Sequence, residues 1–215
     1  MVRKESRMAG RAIIFVMTHV PDIASGKITA VRDTWAKQWP EIFPVKYAFD
    51  NTHKDPWPDE LVLDVPTGMM NMSFKTHKMT QWALGHGYDY AFFVPTDCYV
   101  AIDRLLMSGY EKVDYTGFHS YDEHHIGGGS GYWLSRRALQ AVAAYVPYPD
   151  YEDRWVGSAC RAAGISAIHD PRYRSWEQPP VVGSITKHLS RATNDYDPIW
   201  MYMVHEKYLR EGDLT

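Results

Sequence analysis

The run Tyr90-Ala91-Phe92-Phe93-Val94 packs aromatic and β-branched residues without a charge between them, a composition suited to a strand buried on both faces. Such strands lie inside sheets covered by helices on each side, so the chain is expected to be α/β. The run leads into Pro95-Thr96-Asp97-Cys98-Tyr99-Val100 and delivers one carboxylate, Asp97, to the strand end, where open α/β sheets keep their chemistry. An acid there needs a metal ion, a polar ligand or a helix to cap. The helix suggested by Ala101 to Met107 offers the last of these.

Further strand-like runs at Ala12 to Thr18, Val45 to Phe49, Leu61 to Val65, Tyr115 to Phe118 and Ile165 to Ile168 alternate with helical patterns. A first helix is predicted over Lys27 to Gln38, with Ile28, Val31, Trp35 and Trp39 on one stripe and Pro40 ending it. Others are predicted over Ser73 to Leu84, after Ser135, and from Glu152 to Ala163. A last one starts at Asp197-Pro198 and runs to Gly212, with Asp as cap and Pro at the first helical position. The segment Val181 to Asn194 lacks periodicity and is expected to wrap the domain rather than enter its core.

The 215 residues suffice for a sizeable core, and no linker-like stretch divides them, so a single domain over 1–215 is expected. A net charge of −3 gives no overall attraction to nucleic acid. Locally, Arg161, Arg172, Arg174, Lys187 and Arg191 outnumber Asp170 and Glu177, which predicts either a basic face or an ordinary solvated surface. Cys98 and Cys160 have neither zinc-site nor disulfide-framework spacing. The basic residues Arg3, Lys4, Arg7 and Arg11 precede an apolar run too short for a secretory signal, and no span long enough for a membrane follows. A reducing, cytoplasmic location is the expectation.

Four stations stand in order: Val31-Arg32-Asp33-Thr34-Trp35, Thr96-Asp97-Cys98, Gly128-Gly129-Ser130-Gly131-Tyr132-Trp133-Leu134-Ser135, and Tyr151-Glu152-Asp153-Arg154-Trp155-Val156-Gly157. Together they resemble the fringe and β-1,3-galactosyltransferase group of GT-A glycosyltransferases over roughly residues 12–168. The resemblance implies a GT-A fold, a Rossmann-like mixed sheet flanked by helices. A nucleotide-sugar-binding half would occupy about residues 11–100 and an acceptor-binding half about residues 101–215.

The activity implied by this resemblance is metal-dependent, inverting transfer of a sugar from a nucleotide-sugar donor, a UDP-sugar by expectation, to an acceptor hydroxyl. Asp97 would hold Mn²⁺ or Mg²⁺ against the diphosphate, with His188 as the histidine ligand and His205 as the alternative. Asp153, or else Glu152, would be the general base, although acids in a first helical turn also simply stabilise the helix dipole. Arg32 with Thr34, Thr96, and the glycines Gly128, Gly129 and Gly131 would contact the donor. Where the group usually carries three consecutive acids, this chain has Pro95-Thr96-Asp97.

An unanchored enzyme of this kind would meet its acceptor in the cytoplasm: a glycan precursor, a protein, or a hydroxymethylated pyrimidine in DNA. The basic excess and Tyr173, Trp176, Tyr196, Trp200 and Tyr202 would serve a nucleic-acid acceptor. Two other readings remain open from the residues: a metal-dependent hydrolase built on His119 and Asp122-Glu123-His124-His125, and a sugar-nucleotide-binding module without turnover.

Overall fold

A computed structural model describes residues 10–37, 43–120, 122–175, 178–190 and 196–214. Gln38, Trp39, Pro40, Trp176, Glu177, Arg191 and Asn194, invoked above, lie outside the described residues, as do Arg3, Lys4 and Arg7. The first half runs β1 (Ala12–Met17), α1 (Pro21–Ala24), α2 (Lys27–Asp33), β2 (Val45–Phe49), β3 (Glu60–Val62), α3 (Met72–Gly85) and β4 (Tyr90–Pro95). Then come β5 (Cys98–Val100), α4 (Ile102–Leu106), β6 (Tyr115–Gly117), β7 (Tyr132–Ser135), α5 (Arg136–Ala144) and α6 (Glu152–Ala162). The chain closes with β8 (Ile168–His169), β9 (Tyr173–Arg174), β10 (Thr186–His188) and α7 (Ile199–Glu211).

Seven strands form one mixed sheet in the order β3-β2-β1-β4-β7-β6-β8. The strands β1 to β4 are parallel, and β7 lies antiparallel to both β4 and β6. Every residue of β1 is buried, because its side chains feed two cores. Ile14 and Val16 join Phe92, Val94, Trp133 and Trp35 on the face covered by α2 and α7. Ile13, Phe15 and Met17 join Ala91, Phe93 and Tyr132 on the face covered by α3, α5 and α6. The period-two alternation of strand side chains thus produces a three-layer sandwich with β4 at its centre.

Several sequence expectations need correction. The first helix stops at Asp33, because Thr34 turns its hydroxyl back onto the Ala30 carbonyl at 2.6 Å; a 3-10 turn over Trp35–Lys37 follows. The strand expected at Ile165 to Ile168 is reduced to Ile168–His169. Asp97 caps no helix, since β5 intervenes and Ala101 occupies the N-cap of α4 without a side-chain hydrogen bond. The segment expected to wrap the domain instead contributes β10 to the middle of a second sheet, β5-β10-β9, and buries Ser184, Ile185, Leu189 and Ser190.

Two residues of the basic excess are engaged by neighbours within the fold. Arg174 is buried and donates to the Pro179 and Pro171 carbonyls at 2.9 Å each, while Arg172 is paired with Asp170 at 2.6 Å. Tyr173 and Tyr196 are core residues rather than stacking surfaces. Both cysteines are buried free thiols. No described helix is long and apolar enough to cross a membrane.

Candidate functional site

Parallel strands β1 and β4 are neighbours whose following connections diverge, β1 leading toward β2 and β4 toward β5, which opens a crevice at their carboxyl ends. A cavity of about 580 Å³ occupies this crevice. Its lining contains Thr96, Asp97, Gly128, Gly129, Glu152, Asp153 and His188, seven of the eleven residues given donor, metal or catalytic roles from the sequence.

Asp97 and His188 meet because β10 pairs antiparallel with β5, with His188 opposite Cys98. The Leu189 N–H donates to the Asp97 carbonyl at 2.8 Å and fixes the register. His188 Nε2 then stands 3.2 Å from Asp97 Oδ2. Asp97 Oδ1 is buried and has no hydrogen-bond partner. A buried carboxylate oxygen left unpaired costs free energy, so its presence in a cavity points to a ligand. Among the described residues no group of three or more His, Cys, Asp and Glu side chains is placed to hold a metal ion. One carboxylate and one imidazole are nevertheless donors that a divalent cation accepts.

Gly128 and Gly129, in a 3-10 turn over Gly128–Ser130, separate this pair from the two acids. A Cβ on Gly129 would lie 2.7 Å from His188 Cε1, and one on Gly128 would lie 2.6 Å from Glu152 Oε2. The absence of side chains at both positions lets the turn press against both clusters.

Glu152 and Asp153 open α6. The Tyr132 hydroxyl donates to Glu152 Oε1, and the Gly128 N–H reaches Asp153 Oδ2 at 3.4 Å. Burial, then the Asp153 charge, pushes Glu152 up to about 8, against the Tyr132 hydrogen bond. Burial also raises Asp153, but the Gly128 and Arg154 N–H groups and the charge of His125 oppose it. Near neutral pH the pair therefore divides into a protonated Glu152 and an Asp153 better able to ionise.

Three expected donor contacts lie elsewhere. Arg32 is outside the cavity lining: it donates to Asp59 at 2.9 Å and Glu60 at 2.7 Å, and sits 4.5 Å over both the Tyr47 and Trp57 rings. Thr34 is buried behind α2. Gly131 has a φ of 76° and a virtual Cβ 2.5 Å from Phe92 Cζ, so it serves close packing on β4. The alternative ligand His205 bonds through Nδ1 to the Tyr99 hydroxyl at 3.0 Å and does not line the cavity.

The sequence reading also missed a charged cluster on the β1 side of the cavity. Asp22, buried, accepts from Thr18 Oγ1 at 3.0 Å, His19 Nδ1 at 2.8 Å and Thr96 Oγ1 at 3.1 Å, with Lys27 Nζ at 3.6 Å. Burial opposes its ionisation, yet His19 and the Lys27 charge outweigh that and hold it below the usual carboxylate range. Lys75 from α3 donates to the Thr18 carbonyl at 2.6 Å and lies 3.8 Å from Asp50. Polar residues immediately after the first parallel strand, Thr18, His19 and Asp22, were the available signal.

No protein-family model matches the chain, and no curated protein matches its sequence. Solved structures do match its fold. A glycosyltransferase involved in glycosylating the major capsid of PBCV-1 aligns over 90% of this chain and 100% of its own, with TM-score 0.58 and 14% identity. A protein of Desulfovibrio desulfuricans G20 assigned as a nucleotide-diphospho-sugar transferase aligns over 75% of this chain and 80% of its own, with TM-score 0.51 and 8% identity. The catalytic domain of Drosophila β1,4-galactosyltransferase 7, in complex with xylobiose, aligns over 90% of this chain and 79% of its own, with TM-score 0.50 and 12% identity. The chain has the GT-A-like fold of these proteins.

Proposed function

We propose that the chain is a metal-dependent, inverting glycosyltransferase that moves a sugar from a nucleotide-sugar donor to an acceptor hydroxyl. The observation that carries this reading is the Asp97 carboxylate, with Oδ2 3.2 Å from His188 Nε2 and Oδ1 unpartnered, set across Gly128 and Gly129 from the acids Glu152 and Asp153 in one cavity. The fold shared with nucleotide-sugar enzymes agrees with it.

Asp97 and His188 would hold Mn²⁺ or Mg²⁺ in this reading, and the cation would supply electrostatic stabilisation of a departing diphosphate. Asp153 accepts the acceptor hydroxyl proton as the new bond to the sugar carbon forms on the face opposite the breaking bond to the nucleoside diphosphate. Glu152, protonated and held by Tyr132, leaves the neighbouring carboxylate to serve as base. Thr96 steadies the β4 end through Asp22. The group of which the motifs are reminiscent, fringe and the β-1,3-galactosyltransferases, is the expected kinship.

The acceptor face favours a saccharide or protein hydroxyl over hydroxymethylated DNA. Near Asp153 stand the acids Asp150 and Glu152, with Arg154 3.8 Å from Asp150, while Arg174 is spent on the Pro179 and Pro171 carbonyls and Arg172 is paired with Asp170. Incubating the protein with Mn²⁺, a donor panel and each acceptor class, and reading released nucleoside diphosphate, tests the proposal. Release without dependence on Asp153 or metal would refute it, and stimulation by hydroxymethylated DNA would overturn the acceptor preference.

A further inference from the structure

Among the described residues, the side chains in the cavity lining that carry or can take up positive charge are His19, Lys27, Lys75 and His188. Three of them are committed to the protein. His188 Nε2 stands 3.2 Å from Asp97 Oδ2, and His19 Nδ1 stands 2.8 Å from Asp22 Oδ2. Lys75, buried, donates to the Thr18 carbonyl at 2.6 Å and faces Asp50 at 3.8 Å, so its charge is taken up at the ends of β1 and β2. Lys27 differs. Its Nζ lies 3.6 Å from Asp22 Oδ1, an ion pair too long for a hydrogen bond, and 5.6 Å from the centre of the Tyr196 ring. Its side chain keeps 22% exposure where that of Asp22 keeps 4%. A carboxylate and an aromatic face thus place the ammonium without consuming its N–H groups.

Asp22 also fixes where this ammonium stands relative to the rest of the site. Its Oδ2 accepts from Thr96 Oγ1 at 3.1 Å, and Thr96 directly precedes Asp97. Lys27, Asp22, Thr96 and Asp97 therefore form one connected stretch of the cavity wall, with a cationic head at one end and the unpartnered Asp97 Oδ1 at the other. We propose that Lys27 is a donor-binding residue that contacts the diphosphate of the nucleotide sugar and stabilises it as the leaving group. The inference rests on the transferase reading and names the side chain that shares the leaving-group charge. The bond from the sugar carbon to the diphosphate breaks with its electron pair left on the diphosphate oxygen, and the ammonium meets that charge without giving up a proton. A lysine suits this duty because its charge is a compact point with three donors that can follow the oxygens.

The test is calorimetric binding of UDP, GDP and ADP, with Mn²⁺ and with EDTA, to the parent protein, Lys27→Met and Lys27→Arg, each checked for an unchanged melting profile. For a diphosphate that the parent binds, Lys27→Met is expected to weaken binding roughly 10–100-fold, as loss of a charge-assisted hydrogen bond does, and Lys27→Arg to restore most of it. Unchanged affinity in Lys27→Met would overturn the proposal. So would an equal loss in Lys27→Met and Lys27→Arg, which would assign the effect to packing rather than charge. Because these readouts need no turnover, the two readings fail separately: a parent protein that binds none of the diphosphates refutes the transferase reading, whereas binding that is indifferent to Lys27 refutes this inference alone. In the transfer assay, Lys27→Met should lower kcat as well as raise the donor KM, since the contact strengthens as charge develops on the diphosphate. A rise in KM with kcat unchanged would overturn the leaving-group role.

Discussion

A carboxylate oxygen buried without a partner is costly, and Asp97 holds one beside His188. If a cation is the missing partner, adding Mn²⁺ should raise the melting temperature of the parent protein and leave that of Asp97→Asn unmoved; equal shifts would remove Asp97 from the cation site. Glu152 makes a second prediction. Its pKa, raised in the folded state to about 8 by burial and by Asp153, means that the folded protein binds its proton more tightly than the unfolded chain. The stability this contributes is fully present below the unfolded value and is lost as pH climbs toward 8. Glu152→Gln should therefore gain on the parent protein in melting temperature between about pH 4.5 and 8 and hold a constant lead above, a pattern that a pH-independent difference would contradict. Its place at the end of a buried apolar run marked Asp97 in the sequence, and the resemblance of the surrounding motif marked Asp153 and Glu152. Nothing local could show that Arg32 would be paired away from the cavity, because its partners Asp59 and Glu60 lie 27 and 28 residues away at the start of β3.

Elements bring these residues together, and the short ones matter most. The strands β5 and β10 are three residues each, too brief for any hydrophobic period, so sequence pattern could not show that His188 would be carried back to Asp97. The long strands β1 and β4 and the helices α3, α5 and α6 were legible because their apolar spacing is set by burial on known faces. The turn over Gly128–Ser130 transmits the geometry: Gly129→Ala places a Cβ 2.7 Å from His188 Cε1, so cation affinity should fall by roughly 10–100-fold, as for other disturbed supporting contacts of metal ligands. Unchanged Mn²⁺ affinity by calorimetry would show that His188 is not a ligand. Ser135 ends β7 and caps α5, accepting from the Ala138 N–H at 3.3 Å and donating to Asp114 at 2.5 Å. Ser135→Ala should cost about 1 kcal/mol in denaturant unfolding without altering cation affinity.

At the scale of the whole molecule, the strand order puts the cavity where β1 and β4 part, and both clusters of the site hang from that point. Asp22 joins the two strand ends, holding Thr18 after β1 and Thr96 after β4. The sequence announced the α/β class through the unbroken apolar runs of β1 and β4, but the antiparallel insertion of β7 and the second sheet depend on long-range pairings that local patterns do not encode. The most direct test of the account is release of nucleoside diphosphate from a panel of UDP-, GDP- and CMP-sugars by the purified protein with Mn²⁺ or Mg²⁺, measured beside Asp97→Asn and Asp153→Asn. The account predicts metal-dependent release from at least one donor, lost in Asp97→Asn, and acceptor-dependent transfer lost in Asp153→Asn. Failure of every donor to turn over or to shift the melting temperature would contradict it.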